Sequence, residues 1–383
     1  MSRFLFAVPP LAGHTLPTVA LGEELARRGH EVAWAGHGDV SGPLLHDGAS
    51  IYPAGDADWL AEVRDRSAGL RGAAAFQFLW AEFLIPLAEA MLPAVEAAIG
   101  EFAPDVVIAD QQALAGAVAA QHRGLPWATS ATTSAELADP FALMPKLGGW
   151  ARGLLTSLQL KAGVSEAVDP RFSPHLIIAY TTEALTGPGL AAGDHVAFVG
   201  PSLGSRRNAA EFPYEWLDPS RRLVLVSLGT VSASSGDRFF AAALEALAPL
   251  DVQAVLVTDP ARFPDVPPHV LVRLFVPQLE LIARASAVVS HAGHNTVCEA
   301  LAHGVPLVVA PIRDDQPIIA GQVADAGAGV RVRYGRVGAG ELRSALVAVL
   351  GDPSYRTAAE RVAASFRSAG GAAAAADRLE KLT

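Results

Sequence analysis

The sequence predicts an α/β protein of two domains, each built on a parallel sheet with helices on both faces. Three observations predict this: a chain of 383 residues, short buried strands that alternate with helical stretches, and a second start of that pattern after residue 222. A chain of this length is too long for one ordinary core and suits two domains of about 150 to 200 residues. Alternating short strands and helices are typical of parallel sheets.

The first domain opens with a β-α-β unit, in which an apolar strand is followed by a tight loop and an amphipathic helix. An opening of this kind begins a doubly wound sheet, whose ligands bind at the carboxyl ends of the strands. The predicted elements are strands at 4–8, 31–35, 105–109 and 127–130, and helices at 16–28 and 76–99.

The second half repeats the pattern after a polar stretch. We therefore place the first domain at residues 1–205, a linker at 206–222 and the second domain at 223–383. The alanine-rich stretch near the end predicts a final helix within the second domain, because alanine favours helix. The predicted strands are 223–230, 254–258, 270–274, 287–290 and 306–310.

Composition and charge exclude several classes of protein. Hydrophobic residues make up 51% and charged residues 18%, as in a packed globular protein, and the net charge of -10 argues against nucleic acid as a partner. The single cysteine, Cys298, excludes a disulfide framework and a cysteine-rich metal site. The first ten residues are too short an apolar run for a secretion signal, and no apolar run of about 20 residues is present. We expect a cytoplasmic protein without a membrane span.

The densest group of polar residues follows the predicted strand 287–290, from Ser290 to Glu299. The strand leads into a glycine-containing loop, and a helix is predicted to begin at about Thr296. Backbone N–H groups at a helix start bind anions, and His291 and Asn295 could add hydrogen bonds to a phosphate. An alternative needs no ligand, because Thr296 and Glu299 also fit a capping box.

Two neighbouring segments favour a ligand. Asp315 and Gln316 follow the predicted strand 306–310, and a carboxylate beside an amide can hydrogen-bond adjacent sugar hydroxyls. Polar residues after Pro311 could also form a plain solvated turn. Upstream, Phe275 offers a ring that could stack on a flat base, and Gln278 lies close to it in sequence.

The stretch from Phe275 to Gln316 resembles the donor-binding signature of the family 1 glycosyltransferases, the UDP-glycosyltransferase superfamily. The bacterial branch that modifies antibiotics and macrolides is the most similar. Four linked motifs carry the resemblance: aromatic-x-Pro-Gln, His-x-Gly-x-Asn-Thr-x-x-Glu, Gly-Val-Pro and Asp-Gln. The resemblance implies the GT-B fold, two Rossmann-like domains that face each other across a cleft, with the nucleotide sugar bound by the second domain.

The resemblance also implies roles for individual donor-site residues. The base would meet the Val276 backbone and Gln278, the diphosphate would bind at the start of the helix, Glu299 would hold the ribose, and Asp315 and Gln316 would contact the sugar. Phe275 and His294 depart from the family pattern, which often has tryptophan at these positions. The implied diphosphate contacts are His291, Gly293, Asn295 and Thr296, with Gly229 and Thr230 after the first strand of the second domain.

The first domain supplies a candidate base. His14 follows the first predicted strand and Asp110 follows the strand 105–109, so in a parallel sheet the two could be neighbours. A histidine with a pKa near neutrality can accept a proton from a hydroxyl, and an aspartate can orient it. The resemblance implies the same pair. The alternatives are a helix-capping His14 and a strand-end turn at Asp110.

The acceptor site has no recognisable code. An aromatic run is the one candidate, as the lining of an apolar acceptor pocket, although such a run is also typical of a core. Its members are Phe76, Phe78, Trp80 and Phe83. No Asp-x-Asp motif lies near the predicted phosphate site, so we expect no metal ion and no other cofactor.

The sequence therefore predicts an inverting glycosyltransferase that moves a hexose or deoxyhexose from a UDP- or dTDP-sugar to a hydroxyl of an apolar natural product. Three alternatives stay open. A nucleotide-sugar 2-epimerase shares the fold, and a non-catalytic helper could retain it, although a helper would not need His14 and Asp110. A dinucleotide-dependent oxidoreductase lacks its Gly-x-Gly-x-x-Gly fingerprint.

Overall fold

The computed structural model describes residues 1–55, 63, 66, 69–70, 72–138, 144–189, 193–204, 211–229 and 236–383. The chain forms two compact units. The first unit contains residues 1–180, 191–207 and 369–383, and the second contains residues 181–190 and 208–368. Each unit is built on one parallel sheet.

The sheet of the first unit has seven parallel strands in the order β3-β2-β1-β4-β5-β6-β7. Successive side chains of its central strands enter different clusters: Phe4 and Phe6 pack in one, Leu5 in another. Burial on both faces explains why these strands are continuous apolar runs. The strands are β1 Arg3–Ala7, β2 Glu31–Gly36, β3 Ser50–Pro53, β4 Val106–Asp110, β5 Trp127–Ala131, β6 Leu176–Ala179 and β7 Val196–Phe198.

Helices connect these strands, and short 3-10 turns lie at Gly42–Leu44 and Glu136–Ala138. Between α3 and α4 the helix widens into a π-helical segment, Leu79–Leu84, a feature often found at functional sites. The helices are α1 Ala12–Arg27, α2 Gly38–Ser41, α3 Gly72–Phe78, α4 Ile85–Phe102, α5 Leu114–Arg123 and α6 Pro145–Lys161.

The continuous helical stretch Gly72–Phe102 was not expected to be long and apolar enough to cross a membrane, but by length and composition it is. Among the described residues it is the one helix that passes this test. The core helix of a soluble protein passes the same test, and Leu87, Met91 and Val95 pack in a core cluster of the first unit. The length and composition of this helix are therefore weak evidence for a membrane span.

The sheet of the second unit has six parallel strands in the order β10-β9-β8-β11-β12-β13. The strands are β8 Arg222–Ser227, β9 Val252–Val257, β10 Val270–Arg273, β11 Ala285–Ser290, β12 Leu307–Val309 and β13 Gly329–Arg331. The helices are α7 Glu183–Thr186, α8 Asp237–Leu247, α9 Gln278–Arg284, α10 His294–Ala302, α11 Gln316–Asp325, α12 Ala339–Gly351 and α13 Pro353–Ser368, with 3-10 turns at Tyr214–Trp216 and Pro260–Arg262.

The last helix, α14 (Gly371–Leu379), followed by the 3-10 turn Glu380–Leu382, belongs to the first unit and not to the predicted second domain. Ala375, Ala376 and Leu379 are fully buried in the core cluster that contains Phe4. Arg28 at the end of α1 binds Asp377 at 2.7 Å and Glu380 at 2.9 Å. Apolar burial and these ion pairs hold α14 against the first unit. Conversely, residues 181–190 lie within the predicted first domain but belong to the second unit.

Candidate active site

The strand order of the first unit reverses between β1 and β4, which is where ligands bind in open α/β sheets. His14 lies in the first turn of α1, just after β1, and Asp110 is the last residue of β4. Because β1 and β4 are paired, the two side chains meet: His14 Nδ1 lies 2.9 Å from Asp110 Oδ1. The Asp110 side chain is fully buried, and that of His14 is 17% exposed. The structure brings together the two residues that the sequence singled out in this domain.

Thr132 adds a third side chain to this pair, which the sequence analysis did not identify. It lies directly after β5, the strand next to β4. Its Oγ1 donates to Asp110 Oδ2 at 2.7 Å and lies 2.8 Å from His14 Nδ1. The backbone N–H of Gln112 donates to Asp110 Oδ1 at 2.8 Å. A hydroxyl residue at the end of the neighbouring strand is the signal that could have identified Thr132.

Glu136, in the 3-10 turn after β5, is a second group that the sequence analysis missed. Burial raises the pKa of its carboxyl to about 7, with Asp110 adding to the increase, while Arg171 and His14 oppose it. A carboxyl that titrates near neutrality beside a candidate base is common at functional sites. The charge of this part of the first unit therefore changes near pH 7.

In the second unit, the His291 imidazole lies between two glycines. A Cβ on Gly229 would lie 2.7 Å from His291 Cε1, and a Cβ on Gly293 would lie 2.5 Å from its Nε2. Gly229 follows β8 and His291 follows β11, and these strands are paired at Ser227 and Ser290. Glycine at both positions lets the ring fit between the two loops. Thr230, the other predicted contact after β8, lies outside the described residues.

The His291 ring is neutral at pH 7. Burial lowers its pKa to about 4, with Arg313 acting in the same direction, while Asp315 and the Ser227 backbone oppose the shift. Within the part of the chain that the structure describes, its buried Nδ1 has no hydrogen-bond partner. A neutral imidazole that carries one N–H can donate a hydrogen bond to an anion without holding a charge in the unliganded site.

Helix α10 begins at His294, not at about Thr296 as predicted, and Gly293 is its N-cap. Thr296 is therefore inside the first turn, where it cannot be the N-cap residue of a capping box. Glu299 is 3% exposed, and its Oε2 accepts a 2.6 Å hydrogen bond from Gln278 Nε2. Glu299 thus binds a side chain of α9, and the capping alternative for this motif is wrong.

Asp315 and Gln316 lie where a loop turns into α11. Gln316 is the first residue of the helix and is 8% exposed; its Oε1 accepts the backbone N–H groups of Ile312 at 2.9 Å and Arg313 at 3.1 Å. Asp314 has a φ of 55°, a left-handed conformation that costs a non-glycine residue energy. The side-chain oxygen of Gln316 thus holds this loop in a defined shape.

The remaining donor-site candidates begin at the end of β10. Phe275 is 64% exposed, as a ring that stacks on a flat base would be before the base binds. Val276 and Gln278 follow it, with Gln278 as the first residue of α9. Through its contact with Glu299, Gln278 joins this segment to α10, where Asn295 lies in the first turn.

The four aromatic residues proposed for the acceptor do not share one environment. Trp80 is 3% exposed, in a core cluster against which Phe76 and Phe83 pack. The guanidinium of Arg171 lies 5.5 Å from the Trp80 ring, and that of Arg66 lies 5.6 Å from the Phe78 ring. Trp80 is thus a core residue, as the alternative held, and the other three rings are partly buried.

Comparisons with known proteins agree with this architecture. Residues 241–382 match the family described as erythromycin biosynthesis protein CIII-like, C-terminal domain. All of the chain aligns with 87% of a demethyllactenocin mycarosyltransferase from Streptomyces fradiae at 31% identity. It also aligns with 99% of 4'-demethylrebeccamycin synthase from Lentzea aerocolonigenes at 28% identity. The crystal structure of CalG4, the calicheamicin glycosyltransferase, has a TM-score of 0.81 at 25% identity and covers the whole chain, with 98% of its own length matched.

Two parallel sheets, each flanked by helices, and relatives of this kind define a glycosyltransferase of the GT-B fold. This confirms the predicted fold class and the prediction that the protein is a transferase. The chain belongs to the family 1 glycosyltransferases, in the branch that modifies antibiotics and macrolides.

Proposed function

We propose that the protein transfers a hexose or deoxyhexose, with inversion, from a UDP- or dTDP-sugar to a hydroxyl group of an apolar natural product. The observation that carries this proposal is the hydrogen bond of 2.9 Å between His14 and Asp110 at the strand-order reversal of a family member. The acceptor class is supported by relatives whose names describe transfer of mycarose and glycosylation in elloramycin formation.

The first unit supplies the base in this proposal. Because Nδ1 of His14 faces Asp110 and Thr132, Nε2 is the nitrogen that takes the proton of the acceptor hydroxyl. As the proton moves, the acceptor oxygen forms a bond to the anomeric carbon and the bond from that carbon to the diphosphate oxygen breaks. Asp110 stabilises the imidazolium that results. Attack opposite the leaving diphosphate inverts the anomeric centre.

The second unit holds the donor. The diphosphate binds at the N-terminus of α10, where the N–H groups near Gly293, Asn295 and Thr296 and the helix dipole favour negative charge. His291 donates its N–H to the same group, and Gly229 allows the approach of the ring and of the phosphate. These fixed dipoles stabilise the charge that develops on the leaving group, so the proposal gives no role to a metal ion.

The same unit recognises the rest of the donor. The nucleobase of the donor stacks on Phe275 and contacts the Val276 backbone, and the Gln278–Glu299 pair binds the ribose hydroxyls. Asp315 and the amide nitrogen of Gln316 contact the sugar. On the acceptor side, Phe76, Phe78 and Phe83 contribute apolar surface, and Trp80 supports it from the core.

The test is a donor-by-acceptor assay with mass detection that compares the wild-type protein with His14→Ala. We expect a sugar-sized mass gain that falls by about a hundredfold or more in the variant, as for the loss of a general base. Proton NMR of the product then gives the anomeric configuration. Transfer that survives in the variant would remove His14 from its role. Conversion of the donor alone, without an acceptor, would favour the 2-epimerase.

A further inference from the structure

The side chains of His14, Asp110 and Thr132 form a triangle in which three contacts share two protons. The distances are 2.9 Å from His14 Nδ1 to Asp110 Oδ1, 2.8 Å from Nδ1 to Thr132 Oγ1 and 2.7 Å from Oγ1 to Asp110 Oδ2. An ionised carboxylate carries no proton, a hydroxyl carries one and Nδ1 carries one in only one of the two neutral tautomers. The position of each proton follows from this count.

The carboxylate decides where both protons lie. If the Thr132 hydroxyl donated its hydrogen bond to an unprotonated Nδ1, the two oxygens of Asp110 would face lone pairs. Oδ2 would face Oγ1 at 2.7 Å, and Oδ1 would face Nδ1 at 2.9 Å. The Asp110 side chain is fully buried, so water could not relieve that repulsion. The hydroxyl proton therefore points to Oδ2. Nδ1 then carries the ring proton, which is shared between Asp110 Oδ1 and Thr132 Oγ1.

Thr132 and Gln112 together fix the carboxylate. The hydroxyl holds Oδ2, and the backbone N–H of Gln112 holds Oδ1 at 2.8 Å. Oδ1 thus accepts from Gln112 and from His14. Without the hydroxyl, a buried carboxylate oxygen would lose its donor and the ring N–H would lose one of its two acceptors, and both losses loosen the ring.

We propose that Thr132 is a positioning residue, which orients the Asp110 carboxylate and holds His14 in the tautomer whose Nε2 can act as a base. Its catalytic consequence rests on the proposed function, whereas the tautomer is a property of the resting protein. Thr132 acts through the other two side chains and need not touch a substrate. The two consequences can therefore be tested apart.

The experiment uses the full chain labelled with ¹⁵N-histidine, as wild type, Thr132→Ser, Thr132→Val and Thr132→Ala. The signal of His14 is identified by its loss in His14→Gln. We expect one tautomer, protonated at Nδ1, in the wild type and in the serine variant, and ring nitrogen shifts that move towards each other in the other two. In the transfer assay, kcat falls about ten- to a hundredfold in valine and alanine variants, as for loss of a hydrogen bond to a charged group, with KM little changed. The serine variant keeps most of the activity.

Each outcome is decisive. Valine and alanine variants that fold, keep the wild-type nitrogen shifts and keep kcat would overturn the role of Thr132 and leave the proposed function intact. Expected shifts in a protein that transfers no sugar would support the positioning role and count against the proposed function. If the valine variant does not fold, as judged by its thermal transition, the smaller alanine side chain gives the same comparison.

Discussion

The ring of His291 lies so close to Gly293 that an added Cβ would sit 2.5 Å from Nε2. The backbone of Gly293, with φ -64° and ψ 134°, is one that alanine also adopts, so the cost of a side chain here comes from the ring alone. In the proposed donor site, His291 and the N-terminus of α10 reach the same anion because this position has no side chain.

Gly293→Ala should therefore push the imidazole out of place and weaken donor binding. We expect the Kd of a nucleoside diphosphate to rise about ten- to a hundredfold, as for loss of a hydrogen bond to a charged group, measured by isothermal titration calorimetry. The matched control is Gly340→Ala in α12, where an added Cβ meets nothing within 4 Å. Equal affinity in both variants would contradict a role for the His291 position.

The depressed pKa of His291 predicts a loss of stability in acid. Its pKa is about 4 in the folded protein against 6.5 for an unperturbed histidine in an unfolded chain, so the unfolded state binds the proton first as pH falls. The contribution of the neutral His291 ring to the free energy of unfolding is complete above pH 6.5 and is lost between pH 6.5 and 4, with a total of about 3 kcal/mol. Urea unfolding at pH 7 and pH 5 should show a smaller loss for His291→Gln.

The control for this effect is His303→Gln, which changes an exposed histidine of the same unit. It should lose stability between pH 7 and pH 5 as the wild type does. A His291→Gln protein with the same pH slope as this control would show that His291 titrates normally in the folded chain.

Glu136 predicts the opposite trend. Its pKa is raised from 4.5 to about 7, so the folded state holds the proton longer, and stability falls as pH rises from 4.5 to 7. Glu136→Gln removes the buried charge and should be more stable than wild type at pH 8 by about 1–2 kcal/mol, less than the full shift because the residue is partly exposed. The gain should vanish near pH 4.5.

The exposed Glu23 in α1 provides the control, since Glu23→Gln should not produce this dependence on pH. Thermal unfolding across pH 4.5 to 8 makes the comparison. A Glu136→Gln gain that is constant across the whole range would mean that the ordinary packing of the amide, and not the buried charge, is responsible.

Asp110→Asn should lower kcat by about 10² to 10⁴, because an amide can present an N–H to Nδ1 and reverse the tautomer of His14. Donor affinity should be unchanged, since Asp110 and the residues proposed to bind the donor belong to different units. The control is Asp105→Asn, just before the same strand, whose Oδ2 accepts the Arg3 backbone N–H at 2.7 Å. Single-turnover rates separate the chemical step from product release, and a normal rate for Asp110→Asn would exclude the pair as the catalytic base.

Treatment with EDTA should leave the transfer rate unchanged, because in the proposed mechanism α10 and His291 alone stabilise the leaving diphosphate. The rate is measured after dialysis against EDTA and again after Mg²⁺ or Mn²⁺ is added back. Activity that is lost on chelation and restored by a divalent ion would require a metal at the diphosphate.

The strands at the centre of each sheet could be predicted because they are apolar runs buried on both faces. The prediction of 105–109, for example, is β4 displaced by one residue. Four short strands, β3, β6, β7 and β13, were not predicted. Length alone does not explain this, because β10 and β12 are equally short and were predicted. The unit to which α14 belongs could not be predicted either, because an alanine-rich helix does not indicate which core it packs against.

The site was predictable to the extent that it depends on strand ends. His14 and Asp110 each follow a recognisable strand, so their meeting required only that the strands be neighbours. Thr132 also follows a predicted strand, but Thr133 and Ser134 beside it are hydroxyl residues too, and only its contacts with Asp110 and His14 distinguish it. Glu136 gave no signal, because its raised pKa arises from burial in the folded chain. The predicted helix start at Thr296 was wrong because Thr-x-x-Glu is a capping pattern. The helix begins two residues earlier, at His294, with Gly293 as its N-cap.

The return of α14 to the first unit matters for anyone who recombines enzymes of this family. A hybrid that exchanges everything after residue 222 would also replace Ala375, Ala376 and Leu379, and so would put foreign side chains into the core of the half that was meant to be retained. Exchange of residues 181–190 together with 208–368 follows the boundaries between the two units. In such chimeras, the last fifteen residues should stay with the rest of the first unit.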